Sequence, residues 1–89
     1  MIIGDVMGSV WATRKDEKLN GLKLLIVKPI YNDDLASTFV AADLAGAGVG
    51  DTVLVTKGSS ARSAFGKERL PIDSVIVGVV DSIDMIQDE

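Results

Sequence analysis

An 89-residue chain with no cysteine and no histidine cannot build a disulfide, a Cys/His zinc site, a thiol nucleophile or a Ser-His-Asp triad. Nine Lys and Arg against 13 Asp and Glu give a net charge of -4 at pH 7, the wrong sign for neutralising nucleic-acid phosphates or anionic lipid. With 47% hydrophobic residues the chain folds as one domain over residues 1–89, but a lone monomer of this mass exposes about 5,000 Å² and buries only about 63% of its unfolded surface. Oligomerisation is the remaining route to more buried area.

The start, MIIGDVMGSVW, has no basic region ahead of an apolar block, and the longest apolar run, Val75 to Val80, is too short to span a bilayer. A soluble, cytoplasmic protein is expected, with no membrane and no nucleic acid among its partners. Ile2 to Thr13 then alternates with period two, placing Ile2, Gly4, Val6, Gly8, Val10 and Ala12 on an inner face. Glycines on the inside of a strand mark a sharp bend or the close approach of another backbone, as in a small closed barrel.

Residues 14–21 form a charged loop ending in Asn20-Gly21, a dipeptide suited to a tight turn. The second strand, Leu22 to Tyr31, is apolar on both faces, with Leu22, Leu24 and Ile26 on one and Leu25 and Val27 on the other. Pro29 belongs at its end or at an irregularity, and Asn32-Asp33-Asp34 supplies a turn. A short strand over Thr38–Leu44, a glycine loop over 46–51, a strand over Thr52–Lys57 and a short helix over Ser59–Phe65 follow. The last strand, Asp73 to Ile86, is again apolar on both faces.

Five strands and one short helix before the last strand define an all-β fold, a five-stranded OB-like β-barrel. A barrel interior buries one face of each strand, so the outer apolar faces need a cover, which is another copy of the chain or the chain's own loops.

No motif carries catalysis. Gly46-Ala47-Gly48-Val49-Gly50 lacks the third glycine of a dinucleotide loop and leads into a strand. Gly66-Lys67 lacks the other residues of a phosphate loop. Ser59 or Ser60 caps the helix, and Arg62 either meets an anion there or forms a salt bridge. Asp81 and Asp84 fall on opposite faces of the last strand and make no shared site. A base-stacking platform needs aromatic residues among basic ones, and Trp11, Tyr31, Phe39 and Phe65 are the only aromatics. Trp11 reads instead as an interface anchor.

Taken together, these residues resemble the EutN/CcmL family, the pentameric vertex proteins of bacterial microcompartments. The matching pieces are Gly8 to Thr13 with Lys15, Leu22 to Val27, Asp43 with Gly46 to Asp51, Val53 to Val55, Gly58 to Arg62, Pro71 to Asp73, and Val77 to Asp81. The resemblance implies a barrel assembling as a cyclic pentamer at the five-fold points of a shell otherwise tiled by hexameric proteins, with no enzymatic activity, cofactor, catalytic residue or metal. It marks Gly46, Gly48, Gly50, Ser59, Ser60 and Arg62 as subunit-interface or axial residues, with Trp11, Thr13 and Lys15 as a second group. The Ser59-Ser60 pair looks more like catabolic members than carboxysomal ones. The alternative is an OB-type binding module for nucleic acid or another polyanion, which the charge and the scarce aromatics oppose; a small enzyme using carboxylates and Arg62 has no convergent pair to stand on.

Overall fold

Five short strands, rich in Val, Ile and Ala and each flanked by turn residues, close on one another in the computed structural model, which describes residues 1–13, 15–64, 66 and 70–86. They are β1 (Ile2–Ser9), β2 (Leu24–Pro29), β3 (Phe39–Asp43), β4 (Thr52–Lys57) and β5 (Ser74–Val79), with one helix, α1 (Ser59–Ala64), between β4 and β5. Single 3-10 turns occupy Glu17–Leu19 and Leu35–Ser37, each opened by an aspartate, Asp16 or Asp34, whose carboxylate accepts a backbone N–H two residues on. Around the barrel the order is β1, β2, β3, β5, β4, antiparallel everywhere except between β3 and β5.

Steep stagger closes so few strands. The register passes from Val10, whose N–H reaches Leu24, to Ala42, to Val75 and to Thr56. Val55, the neighbour of Thr56, pairs with Ile2, so one circuit has slipped along almost the whole of β1. Such an offset accompanies the strong tilt of a narrow barrel. Two irregularities, one between Val6 and Gly8 and one between Leu54 and Val55, add local bending.

Val6, Leu25, Val27, Ala41, Ala47, Val53, Val55 and Ile76 fill the interior, with Ile2 and Phe39 packed against them. Of the two apolar faces of β2, the core thus takes Leu25 and Val27, and leaves Leu24 and Ile26 half-buried outside. On β5, Val75 and Ile76 are both buried although they are adjacent, and α1 packs against β4 and β5 with Ala61 fully enclosed.

Gly4 is where the wall is thinnest. A Cβ there would lie 2.5 Å from Val27 Cγ1 and 2.8 Å from the carbonyl oxygen of Lys28, so close approach of β2 requires glycine. Gly8 differs from expectation. The irregularity after Val6 shifts the alternation, so Gly8 pairs with Ile26 on the outside and meets it at an ordinary 3.7 Å.

Both terminal strands are shorter than their alternation suggests. β1 stops at Ser9 because its partner begins at Leu24, and the bond from Val10 to Leu24 is the last rung. β5 stops at Val79 because β4 begins at Thr52, which accepts from Val80, leaving residues 81–86 no ladder to join. The face assignment of Asp81 and Asp84 therefore lapses, and both are exposed, non-strand residues. Pro29 ends β2 as expected, and the Asn32 side chain accepts the Asp34 N–H in the turn beyond it. Arg14 of the first loop and Phe65, the expected end of the helix, lie outside the described residues.

Candidate assembly surface

The nine residues singled out from the sequence lie on three segments. Gly46, Gly48 and Gly50 connect β3 to β4, Ser59, Ser60 and Arg62 follow the other end of β4, and Trp11, Thr13 and Lys15 lie beyond the end of β1. The six residues of β4 separate the first two groups by roughly 17 Å.

Asp43, the last residue of β3, organises the glycine loop. Its Oδ1 accepts the Ala45 N–H at 3.0 Å, and its Oδ2 accepts the Ala47 N–H at 2.9 Å and pairs with Lys23 Nζ at 3.5 Å. Lys23 also donates to the Ala47 carbonyl, so one ion pair holds both polar groups of a residue whose methyl enters the core. The far side is bound as firmly. The Gly50 N–H donates to the Val6 carbonyl and the Val6 N–H donates to the Asp51 carbonyl, each at 2.9 Å, and the Asp51 carboxylate accepts the Gly48 N–H at 2.8 Å.

Only two of these three glycines are required by the subunit itself. Gly46 and Gly50 have φ of 78° and 94°, the left-handed region that penalises any side chain. Gly48 is not in that region, and its Cβ would meet nothing nearer than Asp51 Oδ2 at 3.9 Å. Gly48→Val is therefore expected to leave the melting temperature of the separated subunit within about 4–8 °C of the wild type. Native mass against concentration is expected to show at least about tenfold weaker association. An unchanged assembly would remove Gly48 from the interface.

Trp11 is 92% exposed, and Thr13 and Lys15 are exposed beside it. Trp11 forms one wall of an open groove of about 430 Å³ lined also by Val10, Leu22 and Leu24, with Lys15 and Lys23 at its edges. Lys23 thus joins the two features, reaching the glycine loop on one side and the groove on the other.

At the opposite end of β4, α1 begins at Ser59 directly after Gly58, whose φ is 70°. Ser59 and Ser60 occupy the first two helical positions, so neither precedes the helix as a cap, and both are exposed. Arg62 is half-buried and donates from Nη1 to the Ile72 carbonyl at 3.3 Å, tying α1 to the segment before β5. It therefore has a role within its own subunit.

Lys23, Asp43 and Asp51 were not singled out as site residues. A carboxylate directly before a small-residue loop is an available signal, because Asp readily accepts backbone N–H groups a few residues on. The Lys23 contact spans 24 positions and has no local signature. Among the described residues no group of three or more carboxylates converges as a metal site. No helix there is long and apolar enough to cross a membrane.

The subunit is thus a closed barrel with hydrogen-bonded loops and its single indole turned to the surface. Comparison with known proteins gives it a family. Residues 1–81 match the family model described as ethanolamine utilisation protein EutN/carboxysome, and the chain belongs to this EutN/CcmL family. It is 42% identical over 88 residues to the bacterial microcompartment shell vertex protein GrpN of Rhodospirillum rubrum, covering 97% of this chain and 99% of that one. It is 37% identical over 87 residues to the carboxysome shell vertex protein CcmL of Gloeobacter violaceus, covering 96% and 87%. The solved structure of the GrpN pentameric microcompartment shell protein from R. rubrum superposes with a TM-score of 0.81 at 39% identity, covering 98% of this chain and all of that one.

Proposed function

We propose that this chain is a structural shell protein whose cyclic pentamers cap the five-fold vertices of a bacterial microcompartment in the cytoplasm, among hexameric shell proteins. The observation that carries the reading is the end-to-end match to a shell vertex protein solved as a pentamer. The subunit's own surface supports it. The separate chain exposes 6072 Å², roughly a fifth more than a monomer of this mass should, and the excess includes Trp11, Val49 and Met7.

A sheet of hexagons closes into a polyhedron only where pentagons introduce curvature. A head-to-tail interface that closes after five copies supplies that pentagon without covalent chemistry. A catabolic compartment is the better-supported setting. The match to GrpN is closer than the one to CcmL, and the Ser59-Ser60 pair resembles catabolic members.

Native mass at dilute concentration tests the reading, with five subunit masses expected and a monomer overturning it. The vertex role is tested by forming shells from hexameric shell proteins with and without this chain. Open or tubular shells are expected in its absence, and equally closed shells would refute it.

A further inference from the structure

Within one subunit, an apolar groove with a cationic edge and an apolar segment with anionic residues lie where they cannot meet. The groove is the one walled by Val10, Trp11, Leu22 and Leu24 and edged by Lys15 and Lys23, all before or at the start of β2. The segment is residues 81–86, which follow β5, run as non-strand chain and are exposed throughout. It carries Ile83, Met85 and Ile86, the last 94% exposed, alongside the carboxylates of Asp81 and Asp84.

The segment is aimed away from its own groove. Met85 Sδ accepts from the Tyr31 hydroxyl at 3.7 Å, and Tyr31 lies past the C-terminal end of β2. The six residues of β2 alone hold the two ends roughly 17 Å apart. The molecule is correspondingly long, 50 Å on its greatest axis against 25 and 21 Å on the others.

We propose that residues 81–86 of one copy lie in the Trp11 groove of the next, latching neighbours around the ring. The proposal rests on the ring reading above and adds to it the pair of surfaces that meet. A ring requires such a pair, because a head-to-tail contact joins two different patches of the same subunit. The match is of shape and charge together: Ile83, Met85 and Ile86 cover the indole and the leucines, while Asp81 and Asp84 face Lys15 and Lys23. Apolar burial supplies the affinity and the charges favour one direction of docking.

The chain's single tryptophan and its lack of cysteine make the latch directly readable. Native mass is measured first on every variant, and a monomeric wild type overturns ring and latch together. In an intact ring, wild-type Trp11 is expected to emit as a shielded indole, and Ile86→Asp, a change at an exposed position, to shift the emission towards the red. In the double variant Lys15→Cys/Ile86→Cys, oxidation is expected to give covalent ladders of up to five chains on a denaturing gel. An intact ring overturns the latch alone if its Trp11 emits as a solvated indole, or if Ile86→Asp leaves the emission unchanged. Disulfides that close within one chain, or fail to form between chains, do the same.

Discussion

Gly4→Ala is expected to cost about 3 kcal/mol or more, because the added methyl lands on the wall of the barrel and not in a space. Its Cβ would lie 2.5 Å from Val27 Cγ1, a side chain already fully buried, and 2.8 Å from the Lys28 carbonyl oxygen, which cannot rotate away. β1 and β2 must part for the methyl to fit, and the pairing of Gly4 with Pro29 has no spare length to give. In a domain of this size the loss corresponds to a fall in melting temperature of about 12–24 °C. Gly8→Ala is the control, since its Cβ meets only Ile26 Cδ1 at 3.7 Å. Thermal melts of the two variants decide the matter; equal melting would mean that β1 and β2 are not in close contact at Gly4.

Asp43→Ala is expected to be the most damaging change outside the core, at about 2–4 kcal/mol. The carboxylate side chain is only 4% exposed and accepts from Ala45 and Ala47 while facing Lys23. Removing it strands the Ala47 N–H inside and leaves the loop without its organiser. Lys23→Ala should cost far less, since the lysine side chain is 53% exposed and water can replace it. Two measurements separate the loop's roles. Asp43→Ala should lower both the melting temperature and the native mass, whereas Gly48→Val should lower only the mass. A stable Asp43→Ala subunit would show that the glycines hold the loop unaided.

The difference between these positions explains what the sequence made legible. Alternation along Leu24–Pro29 and Thr52–Lys57 is a local property, and the structure places strands there. The ends of β1 and β5 are set by where a partner strand begins, at Leu24 and Thr52, which no alternation within the strand records. Gly4 and Gly8 look alike in the pattern, and only the irregularity after Val6 tells them apart. The outward placement of Trp11 was legible because it falls on the mixed outer face of the first strand, and the structure leaves it exposed. Arg62 was read for its neighbours in sequence, while its bond to Ile72 depends on how the chain returns ten residues later. The two apolar faces of β2 were visible, and the structure divides them between the core and the exterior.

The parallel junction of β3 with β5 joins only Ala42 to Val75 and Asp43 to Ile76, helped by a bond from Leu44 to Ile76. Like the junction of β4 with β5, it must wait during synthesis for the last strand. Once Asp43 has been made, the strands β1, β2 and β3 can already pair as a local meander, but β5 is complete only at Val79. At the usual pace of translation that interval lasts a few seconds. For that time each nascent chain carries two open edges, one on β3 and the other on β1 until β4 covers it and on β4 thereafter, of the kind that invites pairing between neighbouring chains. The barrel that ends without an edge begins as a sheet with two, and the crowding on a polysome is the condition under which that early sheet must survive.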